Sequence, residues 1–113
     1  MPRTLRLFLL ITVACAGLLP TGRAAAAPRK PVKHSVAMEA VAFQPGAVTV
    51  NVGDTVVWTN NDPFPHTVTS KNGVFNSKQL AAGKVWTYRA RKKGDYPYVC
   101  TLHPTMSGTI HVR

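Results

Sequence analysis

The stretch that decides the fold is Gly94-Asp95-Tyr96-Pro97-Tyr98-Val99-Cys100-Thr101-Leu102-His103-Pro104-Thr105-Met106-Ser107-Gly108-Thr109-Ile110-His111-Val112. Asp95–Cys100 reads as a strand after a turn at Gly94, and Gly108–Val112 reads as the strand that closes the chain. Between them a short loop carries a thiolate, an imidazole and a thioether at Cys100, His103 and Met106. Working upstream, Lys84–Ala90 alternates Val85, Thr87 and Arg89 against Trp86, Tyr88 and Ala90. His66–Ser70 is a short Thr/Val strand, and Asp54–Asn60 carries Val56, Val57 and Trp58 behind the turn Gly53-Asp54. Val48–Val52 alternates with period two, and Ser35–Val41 is an apolar strand. Helical period never lasts beyond a turn, with Lys78–Ala82 the candidate for one. Seven short strands at this spacing predict an all-β sandwich.

The chain has 113 residues, with 14 Lys+Arg against 4 Asp+Glu and a formal charge of +10. That is one small domain. Part of the charge belongs to a predicted secretory leader over residues 1–26: Arg3 and Arg6, the apolar run Leu7–Leu19, then Pro20 and Ala24-Ala25-Ala26. The run has 13 residues, short of the roughly 20 that span a bilayer, so no membrane span is expected. Cleavage after Ala26 removes Arg3, Arg6 and Arg23, and the charge falls from +10 to +7. It also removes Cys15. Acylation of that cysteine is disfavoured, because Thr12 stands where a lipoprotein signal has Leu, Val or Ile. Residues 27–34, with Pro28, Pro31 and their basic neighbours, read as a flexible tail, and 35–113 as the folded domain.

Cys100 is then a single cysteine in an oxidising compartment. Taken alone it reads as a buried apolar residue. Its neighbours point elsewhere. Cys100, His103 and Met106 stand at i, i+3 and i+6, and His66 follows Asp62-Pro63-Phe64-Pro65 at the mouth of another strand. Thioether sulfur is a poor donor to Zn²⁺ or hard cations, whereas copper accepts S and N donors in both oxidation states. Two His and one Cys with a weak axial Met form the donor set of a blue-copper electron-transfer site.

These residues, with Phe43-Gln44-Pro45, Val48–Asn60 and Pro65-His66-Thr67-Val68, make the chain resemble the cupredoxins over roughly Val41–Val112. The amicyanin branch is nearest, with plastocyanins and pseudoazurins further off. The resemblance implies a Greek-key sandwich of seven to eight strands. It also implies one type 1 copper ion on His66, Cys100, His103 and Met106. Thr67 stands where amicyanins have Asn, a residue that ties the two ligand loops together, so its hydroxyl is the expected substitute; Thr101, next to the thiolate, is expected to give the ligand loop a hydrogen bond.

His103, within an apolar patch of Phe64, Pro65 and Pro104, is the expected port for electrons. The basic cluster Arg89, Arg91, Lys92 and Lys93 falls at the opposite end, which makes it a steering or solubility feature and argues against nucleic acid. His34 and His111 read as bystanders, Met38 as core, and Asp54, Asp62 and Asp95 as ordinary turn residues. The expected function is a monomeric periplasmic electron carrier, not an enzyme, serving acidic partners such as a c-type cytochrome or a dehydrogenase. Copper storage, delivery or resistance through the same ligands is the competing reading, and the basic tail with His34 leans toward it.

Overall fold

The computed structural model describes residues 14, 16–19, 22 and 28–113. Apart from those few positions the expected leader, with Cys15, lies outside the described residues. Eight strands follow in order: β1 Lys33–Glu39, β2 Ala42–Gln44, β3 Ala47–Val50, β4 Thr55–Asn60, β5 Thr69–Ser70, β6 Val85–Arg89, β7 Gly94–Cys100 and β8 His103–Val112. They form two four-stranded sheets, ordered β2-β1-β4-β6 and β3-β8-β7-β5. The pairs β1/β4 and β3/β8 are parallel and the others antiparallel. Among the described residues no helix is long and apolar enough to cross a membrane.

Alternation along two strands builds the core. In β4 the inward residues are Val56, Trp58 and Asn60; in β7 they are Tyr96, Tyr98 and Cys100. The Tyr98 ring lies edge-on to Phe43 at 4.6 Å and to Trp58 at 5.5 Å, joining the two sheets. Burial pushes the Tyr98 phenol up to about 12, with Trp58 as a weak counterweight. Across the ladder Tyr98 faces Gly108. A Cβ there would lie 2.5 Å from the phenol ring and 3.0 Å from the Gly46 carbonyl oxygen. The glycine is therefore what lets the tyrosine lie across β8.

Three segments depart from the sequence reading. The apolar strand expected over Ser35–Val41 breaks after Glu39, and Ala40 and Val41 adopt positive φ of 52° and 57°. Such a pair costs about 1–2 kcal/mol per residue. The Asp62 carboxylate offsets that cost by accepting both N–H groups, at 2.8 and 3.0 Å. Lys78–Ala82 makes no helical turn: Lys78 has φ 61°, and Leu80 exchanges backbone hydrogen bonds with His66 at 3.1 and 2.8 Å. Burial of the Leu80 side chain draws this segment into an extended path beside His66.

The third departure is the tail expected at 27–34. Strand β1 begins at Lys33, and buried Asp54 gathers the chain before it. Its carboxylate accepts from Arg29 at 2.6 Å and the Val32 N–H at 2.9 Å, and it holds His34 Nε2 at 2.9 Å. The Asn51 N–H completes the set at 3.0 Å. Asp54 is thus an anchor rather than an ordinary turn residue, and His34 belongs to its cluster. His111, read as a bystander, is half-buried and pairs with Asp95 Oδ1 at 2.8 Å.

Burial alone would raise the Asp54 carboxyl. The N–H groups of Asn51 and Val32, with His34 and Arg29, overcome it and hold the group well below its ordinary value of 3.8. A depressed folded value means the unfolded chain binds the proton first. The stabilisation is therefore present above pH 3.8 and is lost as pH falls toward the folded value. Asp54→Asn should lower neutral-pH stability and flatten the loss of stability below pH 3.8, read by urea unfolding across pH. Gly108→Ala should cost about 1–3 kcal/mol in the same assay by crowding Tyr98.

Candidate metal centre

At one end of the sandwich the chain brings three donor atoms together. His66 Nδ1 and His103 Nδ1 lie 3.7 and 3.8 Å from Cys100 Sγ. All three donor atoms fall within 4.8 Å of one another. An ion bonded to S and N at about 2.3 and 2.0 Å, with ligands 120° apart, separates them by about 3.7 Å. The observed spacing fits one first-row metal ion in a trigonal plane. Cys100 and His66 are 0% exposed and Met106 2%, so among the four expected donors only His103 reaches solvent.

Each donor has a cause for its place. Cys100 ends β7 on the inward face below Tyr96 and Tyr98, where a register shift between Val99 and Cys100 opens the ligand loop. That loop is tighter than expected, because β8 begins at His103, opposite Cys100. Met106 is the first buried position of β8, three residues after His103 and in phase with Ile110 and Val112. His66 is held on both sides by Leu80, and its ring Nε2 meets Asp62 Oδ2 at 2.7 Å. With Nε2 donating to a carboxylate, Nδ1 carries the free lone pair and points at the thiolate side.

Asp62 and Asn60 are the site residues that the sequence reading did not assign. His66 beside it holds the Asp62 carboxyl below the usual carboxylate range against burial, which pushes it up; the Val41 and Ala40 N–H groups add to the lowering. Buried Asn60 donates to the carbonyls of Phe64 and Leu80, both at 2.9 Å, and accepts from the Asp62 N–H at 3.0 Å. It shapes the turn that delivers His66. An Asp four residues before a candidate His ligand was the available signal, although it is shared with every Asp-Pro turn.

Thr67 and Thr101 stand between the two candidate ligand loops. The Thr67 N–H donates to Cys100 Sγ at 3.3 Å. Its hydroxyl oxygen accepts the Thr101 N–H at 2.9 Å and lies 3.1 Å from the Thr101 hydroxyl. The threonine hydroxyl therefore ties the two ligand loops. Phe64, 37% exposed, sets its ring 5.2 Å from His66 and 5.6 Å from His103. Pro65 and Pro104 are exposed beside it, and exposed Leu102 extends the same apolar rim.

A family model described as a cupredoxin-like domain matches residues 7–112. The chain belongs to the cupredoxin family. Amicyanin from Paracoccus versutus is 30% identical over 82 residues, 68% of this chain and 62% of that protein. The cupredoxin thus spans about three-fifths of the length of this curated relative. A purple cupredoxin from Nitrosopumilus maritimus matches with TM-score 0.65 at 30% identity, over 71% of this chain and 99% of that one. A Cu-containing nitrite reductase from Thermus scotoductus matches at TM-score 0.69 and 28% identity, over 78% of this chain and 24% of that one. In this cupredoxin His66, Cys100, His103 and Met106 are arranged as a type 1 copper site.

Removing the groups that hold the donors should weaken metal binding while leaving all four donors present. Asp62→Ala should lower copper affinity about 10–100-fold, read by competition with a chelator. Thr67→Val frees the Thr101 N–H and should shift the thiolate–copper absorption, whereas Thr67→Ser should restore it.

Proposed function

We propose that this cupredoxin is an exported, periplasmic carrier of single electrons, holding one copper ion on His66 Nδ1, Cys100 Sγ, His103 Nδ1 and the Met106 sulfur. When bound, copper supplies a one-electron Cu(II)/Cu(I) couple. The observation that carries the reading is the trio of donors, within 4.8 Å of one another and with two of them fully buried. Buried donors fixed by Asp62, Leu80 and Thr67 can move little when charge changes, which suits electron transfer. The Thr67 N–H stabilises negative charge on the Cys100 sulfur.

The His103 ring is the bridge between this buried set and the surface. Phe64, Pro65, Pro104 and Leu102 surround it with apolar area suited to brief contact with a second redox protein. Partners with acidic surfaces, a c-type cytochrome or a dehydrogenase, complement the positive charge of the chain. Export rests on the leader read at residues 1–26. Storage or delivery through the same ligands is disfavoured by the burial of three donors, which slows escape of an ion. The lean that His34 gave to that reading is gone, since His34 is engaged by Asp54 at the other end of the molecule.

Adding Cu(II) to the purified protein should produce an intense blue colour that ascorbate bleaches and ferricyanide restores, and Cys100→Ser should abolish it. A colourless product, or one that does not cycle, would defeat the proposal. Rapid loss of copper to a chelator would favour storage. Phe64→Glu or Pro104→Glu should slow electron exchange with a redox partner about tenfold, a contact loss near 1.4 kcal/mol, and leave the colour unchanged.

A further inference from the structure

The charge of this chain is divided between the two ends of the sandwich. Lys33 pairs with Thr55, Thr55 with Arg89, and Gly94 with Val112, so β1, β6 and the turn into β7 meet at one pole. Six residues of β7 at about 3.3 Å each separate that pole from Cys100 by about 20 Å. Exposed Arg89, Arg91, Lys92 and Lys93 gather there with Lys30 and Lys33 from the N-terminal segment. Arg29 and Arg113 are there too, spent on the pole's two carboxylates, Asp54 and Asp95. Six cations thus face solvent at this pole, and its side-chain carboxylates, Asp54 and Asp95, are both paired. The copper end carries two exposed cations, Lys78 and Lys84, with Glu39 and the buried Asp62.

Apolar tips accompany the cations. Val32 and Val52, each 44% exposed, flank Asp54 at the pole. A groove of about 510 Å³ at the same pole sets Val74, Tyr88 and Tyr96 against Arg89, Arg91 and Lys92. Cations interspersed with aliphatic and phenolic groups match the interface of an anionic bilayer, where phosphates meet the first acyl carbons. A redox protein docked here would be about 20 Å from the thiolate, too far for direct use of His103. We propose that this pole is a peripheral docking surface for anionic phospholipid. It holds the protein on a bilayer with the His103 end turned away, toward the compartment. The orientation rests on His103 being the electron port; the lipid contact does not.

The test uses the processed, copper-loaded protein sedimented with vesicles of phosphatidylcholine, with or without phosphatidylglycerol. Association should require phosphatidylglycerol and weaken as salt rises. Each cation near the surface contributes about fivefold in partitioning, so the variant Arg91→Gln/Lys92→Gln/Lys93→Gln should lose about a hundredfold. The variant Lys78→Gln/Lys84→Gln removes charge at the copper end and should bind nearly as the parent does. Equal losses in the two variants would show attraction to net charge and overturn the assignment, as would no association at low salt. So would unchanged vesicle binding by the triple variant with a slower exchange with an acidic redox protein, which would assign the pole to protein docking. Sedimentation needs no electron transfer, so a failure of the carrier reading leaves this test standing.

Discussion

The copper end depends on one carboxylate that serves two backbones at once. Asp62 receives the N–H groups of Ala40 and Val41 and the ring of His66. It thereby fixes the left-handed reversal between β1 and β2 and the tautomer of a candidate ligand. Asn60 and Leu80 fasten the same loop from behind. On the opposite side Thr67 carries the hold across to Cys100 and Thr101. Nδ1 of His66 is aimed because its other nitrogen is occupied, and the thiolate is reached because Thr67 follows directly. A donor trio this close, with two members excluded from water, would otherwise place unpaired polar groups in the core.

What was legible in the sequence follows from the range of the interactions involved. Strand period is local, so β4, β6 and β7 are apparent from Trp58, Trp86 and Tyr98 and their neighbours. The ligand loop is local too, and Cys100, His103 and Met106 are set by spacing within one hairpin. His66 could be added because its loop chemistry is distinctive. Asp54 and Asp62 were not legible as anchors, because their partners lie about 20 or more residues away. In a sequence, an Asp that grips distant N–H groups looks like an Asp that merely starts a turn. The expected turn of helix at Lys78–Ala82 failed for a related reason: backbone pairing with His66 and burial of Leu80 outweighed local preference. The split of β1 from β2 was hidden because its cause, Asp62, lies beyond β4.

Thr67 shows how a family likeness and a physical reading correct each other. The likeness marked its position as a departure, since amicyanins have Asn there. An amide can both donate and accept across the gap between two loops, and a shorter hydroxyl can do the same only if the loops approach closely. Here they do: Thr67 and Thr101 place their hydroxyls 3.1 Å apart, with Thr69 3.0 Å from Thr67 on the other side. A row of three small hydroxyl side chains thus spans what one amide would span.

The two ends of the sandwich follow opposite electrostatic rules for the same reason. At the copper end Asp62 is buried against His66, and an apolar rim of Phe64, Leu102 and Pro104 surrounds His103. Such a rim lets a partner approach closely and leave quickly, since little polar surface must be desolvated. At the far pole, cations are left unpaired and separated from copper by the length of β7. A positive field placed there exerts little pull on the electron at the site, because solvent and salt screen it over about 8–10 Å. The fold can therefore carry a strong surface charge for attachment while keeping it away from the redox centre. Rigid strands of modest length are what make that separation possible.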